Sequence, residues 1–220
     1  MSIPLVKVFD CPTFSLAETL RYLRQNERDE KIEALIKECF LEAEKGFVYK
    51  ACYLRSNCKT SDNCVEIMGK KIKSKALAKN LSGVKEVVLF ACSIGFNLDR
   101  LIEKYKLIDP LRSLIMHAIG VERVESLADA FCSFLAEEVQ KENKSLRPRF
   151  SPGYGDFGIE NQKLFFESLD VSKLLGVTLT ESMLMSPSKS VTAIVGLADE
   201  KGMDLNCGCL SCDKECEYRR

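Results

Sequence analysis

A chain of 220 residues fits one large domain or two small ones, and 46% hydrophobic with 29% charged residues supplies both a core and a solvated surface, which excludes a disordered or fibrous chain. Lysine plus arginine and aspartate plus glutamate number 32 each, so the zero formal charge argues against a non-specific nucleic-acid binder or a polybasic membrane patch and is compatible with docking to a protein. Eleven cysteines, an odd number, suit reduced thiols or metal ligands better than a complete disulfide set.

The opening MSIPLVKVFDCP lacks the charged-then-apolar order of a signal peptide. The longest apolar run, VVLFACSIGF, falls far short of the roughly 20 residues of a membrane-spanning helix. The expected location is cytoplasmic. A short helix is expected over 15–25, with Ser15 as N-cap and Leu16, Leu20 and Leu23 on one face. The next segment, DEKIEALIKECFLEAEKG, repeats apolar residues at Ile32, Leu35, Ile36, Cys39, Phe40 and Ala43, and Gly46 stops it. FVYKACYL predicts a strand, the polar residues 55–64 a loop, and CVEIMG a second short strand. Ser74 caps a helix that runs to Leu81.

VKEVVLFAC predicts a strand buried on both faces. Gly95 and Asn97 open a helix to about Tyr105, and Asp109–Pro110 is an N-cap followed by proline at the first helical position. The helical pattern from Leu111 to Val139 is long, with Gly120 as the place where it would bend or split. LRPRFSPGYGDFG is too rich in proline and glycine for a helix or a central strand. ENQKLFFESLD returns to helix, and VTLTES with SVTAIVGLA predicts a hairpin joined by SPSK. The expected class is α+β: a mainly antiparallel twisted sheet flanked by long helices, a single domain over 1–200 with a cysteine-rich tail over 201–220.

Gly153, Gly155 and Gly158 match the G-x-G-x-x-G spacing of dinucleotide sites, but those sites need a strand before the first glycine, and RPRFSP is unsuited to a central strand. An ordinary Rossmann methyltransferase fails on the same ground. Arg149 offers a planar bidentate partner for a carboxylate or phosphate, Gly153 allows close backbone approach, and Tyr154 adds an aromatic face with a hydroxyl. The bland alternative is a proline-glycine surface loop with solvated arginines.

Arg149-Phe150-Ser151-Pro152-Gly153-Tyr154 resembles the R-x-x-x-G-Y motif of the reactivation domain of cobalamin-dependent methionine synthase. LFFESLDVSKLLGVTLTESMLMSPSKSVTAIVGL, ESLADAF and, more loosely, AETLRYL are similar to further segments of that family. The resemblance implies binding of S-adenosylmethionine by Arg149, Ser151, Gly153, Tyr154, Asp129 and Glu181. Arg149 would take the carboxylate, and Asp129, standing where the family has a glutamate, the ammonium. The family's late tyrosine pair has no counterpart between Tyr154 and Tyr218.

The implied activity is reductive remethylation of cob(II)alamin held by a partner methionine synthase, with an electron from a flavodoxin- or ferredoxin-like donor. The chain is too short for the family's zinc, folate and cobalamin modules, so a free-standing reactivation subunit is expected. Cys207, Cys209, Cys212 and Cys216, spaced C-x-C-x2-C-x3-C, form a full thiolate set for zinc or an iron–sulfur cluster. An exposed redox set and a plain tail are the other readings. The alternative functions are a metal- or redox-sensing interaction module on the same scaffold, or a reactivator of another corrinoid protein. His117 has no second histidine to form a metal pair, and Cys39, Cys92 and Cys132 read as small core residues.

Overall fold

The run EVVLFACS becomes strand β5 (Glu86–Ser93), and its side chains alternate between two apolar cores. Val88, Phe90 and Cys92 enter one core, while Val87, Leu89 and Ala91 enter the other. A strand so placed has no polar face to show, as its composition predicts. The computed structural model describes residues 3–25 and 27–199.

Around β5 lie β1 (Leu5–Val8), β2 (Lys50–Ser61), β3 (Cys64–Ile67), β4 (Lys70–Lys73), β6 (Lys144–Leu146) and β9 (Ser190–Asp199). They form one sheet in the order β4-β3-β2-β5-β9-β6, with β1 also on β2, and every pairing is antiparallel. Helices α1 (Leu16–Tyr22), α2 (Glu30–Ala43), α4 (Asn97–Ile108) and α5 (Pro110–Gln140) cover one face. The other face carries α3 (Lys75–Asn80), α6 (Gln162–Leu169) and α7 (Val171–Leu175). The α+β class with an antiparallel sheet is therefore observed.

Local signals set the helix starts. Ser15 accepts from the Glu18 amide, Ser74 from Leu77, and Asp109 from Arg112 with Pro110 at the first turn. Each supplies an acceptor for an amide that the helix leaves unpaired. Helix α5 runs unbroken past Gly120, contrary to the expected bend. A Cβ there would sit 2.4 Å from Leu98 Cδ2 and 2.6 Å from Lys189 Cε, so the glycine makes room for a neighbouring helix and a crossing lysine.

Two strand expectations are corrected. Residues 55–61 are not a loop: β2 continues to Ser61 and turns at Asp62-Asn63 into β3, with Ser61 opposite Cys64. The second hairpin is smaller than expected. Thr178–Leu179 (β7) pairs with Met185–Ser186 (β8), whereas β9 pairs with β5 and β6.

One buried charge pair secures the chain's first segment. Arg123 is fully buried against Glu122; its Nη2 donates to Thr13 O at 2.8 Å, and its Nη1 donates to Pro12 O. Glu122 Oε1 accepts from the Ser15 amide at 3.1 Å. Neither charge is left without partners, as burial of charge requires. The expected tail over 201–220, with Cys207, Cys209, Cys212 and Cys216, lies outside the described residues.

Candidate functional site

The Arg149 segment is an extension of the sheet's edge. Arg147 N–H donates to Gly196 O at 2.8 Å, and Phe150 and Ile194 exchange two backbone bonds of 2.9 Å. Leu146 faces Leu197 but Phe150 faces Ile194, so four steps on one strand answer three on the other. That mismatch is a bulge over 147–149, and Pro148, with no N–H to give, fits inside it. The bulge places Arg149 toward α5 while Phe150 packs with the opposite core.

Helix α5 presents Glu125, Asp129 and Cys132 at one-turn intervals, hence on one face. Arg149 Nη1 donates to Asp129 Oδ1 at 2.7 Å, and Nη2 donates to Glu125 Oε2 at 2.5 Å. Burial pushes the Cys132 thiol up, and the adjacent Arg149 guanidinium pulls it partly back. One residue here has no role in the sequence reading, Glu125, which sits one turn before Asp129, a spacing that could have flagged it. Cys132, one turn after Asp129 and read as a core residue, is partly buried beside Arg149.

The loop beyond is held by its own backbone. Gly153 has φ +95° and donates to Phe157 O at 2.7 Å; Tyr154 N–H donates to Ser151 O at 3.2 Å. Tyr154 is largely exposed, and the Phe150 ring lies between it and Phe157 at centroid distances of 6.4 and 6.1 Å. Asp156 ties the loop to the start of α3. It accepts from Ser74 Oγ, from the Lys75 amide at 2.7 Å and from the Ala76 amide at 3.1 Å. Those bonds, the Ser74 hydroxyl first, lower the Asp156 pKa.

Arg149 meets Asp129 on the α5 side of the sheet edge, and Gly153 and Tyr154 follow in the same stretch of chain, in the loop that packs on Phe150 and is tied to α3. Ser151 closes the turn beside them through its carbonyl. Glu181 is exposed at the tip of the β7–β8 hairpin, and among the described residues no hydrogen bond or ion pair joins it to that stretch. A groove of about 720 Å³ beside β2 is lined by residues that include Arg55, Lys59, Glu66 and Glu86, not by the Arg149 loop.

His117 Nδ1 meets Lys189 Nζ at 2.8 Å, and burial followed by that lysine lowers its pKa. Cys39, Cys52, Cys58 and Cys92 are buried free thiols, and burial pushes Cys52 up to about 12. No cluster of three or more potential metal ligands occurs among the described residues.

The family model described as the vitamin B12 dependent methionine synthase activation domain matches residues 27–220. The chain belongs to this family. The activation domain's fold also matches a solved structure, the crystal structure of the MetH reactivation domain bound to AdoHcy. That match has a TM-score of 0.66 at 15% identity and covers 91% of this chain and 80% of the other. At that identity it shows the shared fold. No curated protein matches the chain. No helix among the described residues of this activation domain is long and apolar enough to cross a membrane.

Proposed function

We propose that this activation domain binds S-adenosylmethionine and supports reductive remethylation of inactive cob(II)alamin on a partner cobalamin-dependent methionine synthase in the cytoplasm. The observation that carries the reading is Arg149 held between two carboxylates beside the Gly153–Tyr154 loop, in a chain of this family. The related reactivation domain was crystallised with AdoHcy, which shares the adenosine and amino-acid ends of S-adenosylmethionine.

The residues fit that ligand by charge. A guanidinium pairs with a carboxylate through parallel N–H bonds, and Asp129 offers an anion to the ammonium. Gly153 holds a backbone angle that favours glycine and has no side chain to keep an adenine ring from the loop, while its own N–H is given to Phe157 O. Tyr154 supplies an exposed ring for packing. Ser151 and Glu181 complete the proposed set, the latter from the β7–β8 hairpin.

When bound, S-adenosylmethionine supplies the methyl group, and a flavodoxin- or ferredoxin-like donor supplies the electron, to the partner's cobalamin. The chain's own part is to bind and orient. Titration of wild type and Arg149→Ala with S-adenosylmethionine tests the reading. The wild type is expected to bind and the variant to lose at least about tenfold in affinity, since a hydrogen bond to a charged group contributes roughly 1.5–3 kcal/mol. No binding by the wild type defeats it.

A second reading is favoured by the C-x-C-x2-C-x3-C run, which has the ligand count for zinc or an iron–sulfur cluster. On it, the chain senses metal or redox state through Cys207, Cys209, Cys212 and Cys216. Truncation after Asp199 separates the two. Ligand binding survives on the first reading, and metal content and partner binding vanish on the second.

A further inference from the structure

Arg149 has two acidic partners on α5, while an α-amino acid carries only one ammonium. The partners differ in setting. The Glu125 side chain is 25% exposed and that of Asp129 59%, against 22% for Arg149 itself. An ion pair open to water is readily exchanged, whereas a largely buried guanidinium is costly to strip of every partner. The backbone on either side of Arg149 is bonded to β9, so the freedom that remains is in the side chain.

We propose that Glu125 is a positioning residue that holds the Arg149 guanidinium through Nη2, and that Asp129 is the exchangeable acid. An α-amino-acid group inserts into the Arg149–Asp129 pair, its carboxylate taking Nη1 and its ammonium taking Asp129. One ion pair becomes two, and no covalent bond changes. Glu125 touches no ligand atom and acts through Arg149. This inference rests on the S-adenosylmethionine reading and assigns a separate role to each acid.

The test is titration of the full chain with S-adenosylmethionine and with 5′-methylthioadenosine, which keeps the adenosine and thioether but lacks the amino-acid carboxylate and ammonium. Glu125→Ala is expected to weaken S-adenosylmethionine about tenfold while changing 5′-methylthioadenosine by less than about twofold. Glu125→Gln keeps an oxygen acceptor for Nη2 and is expected to recover most of that loss.

Equal losses for both ligands make Glu125 a structural residue and overturn the proposal, as does an unchanged affinity for S-adenosylmethionine in Glu125→Ala. Should the alanine variant fail to fold, Glu125→Leu, which keeps side-chain bulk but has no acceptor for Nη2, carries the same comparison: a loss confined to S-adenosylmethionine supports the role, and no loss or a shared loss overturns it. A wild type that does not bind S-adenosylmethionine overturns the ligand reading itself and this inference with it, a result visible before any variant is made.

Discussion

Arg149 acquires its setting from residues on both sides of it. The bulge at 147–149 turns the guanidinium to α5, and Gly153 then turns the chain back with φ +95°. A Cβ at Gly153 would meet Ile159 Cδ1 at 3.6 Å, an ordinary contact, so the glycine is required by its backbone angle and not by lack of space. Gly153→Ala is therefore expected to cost about 1–3 kcal/mol through strain alone. Urea unfolding reads this, and an unchanged midpoint would contradict it. Of the proposed site, Arg149, Gly153 and Tyr154 could be singled out from the sequence because proline and glycine mark the loop. Glu125 was not, since a glutamate on a helix is ordinary until an arginine from a distant strand is placed against it.

Among the elements, α5 and α3 show how packing overrides or recruits local preference. Alanine is the better helix former by about 1 kcal/mol, so an exposed Gly120 would be improved by Gly120→Ala. Here the added methyl meets Leu98 and Lys189, and overpacking of about 1–3 kcal/mol reverses the sign. Thermal unfolding should show the variant less stable than wild type; a higher midpoint would show that Leu98 and Lys189 move aside freely.

The start of α3 depends on Asp156, whose pKa the fold lowers. The stability it lends is therefore present above the ordinary aspartate value of about 3.9 and is lost as pH falls through the lower folded value. Amide exchange at Lys75 and Ala76 should accelerate selectively in acid, and Asp156→Asn should abolish that pH dependence. Exchange that stays flat with pH in the wild type would remove the carboxylate from this role. The turn at Asp62-Asn63 was a readable hairpin signal. It was hidden by the polar residues of β2, which face solvent where only β3 pairs with that strand.

For the molecule as a whole, the two cores flank one sheet, and the buried Arg123–Glu122 pair joins the first segment to α5. Removing one member of a buried pair leaves the other uncompensated, at about 3–5 kcal/mol. Arg123→Met should lose stability of that order in denaturant unfolding and expose residues near Thr13 to proteolysis. A variant as stable as wild type would show that the pair is dispensable.

Helix starts at Ser15, Ser74 and Asp109, the doubly buried β5 and the antiparallel α+β class followed from residue order, because capping and hydrophobic periodicity act over a few neighbouring residues. The partner of β9, the straight course of α5 past Gly120, the burial of Arg123 and the pairing of Arg149 with Glu125 and Asp129 came from the folded arrangement. Each joins residues separated along the chain or depends on a contact between elements. Such contacts are set by which faces pack together, and local pattern carries no record of that choice.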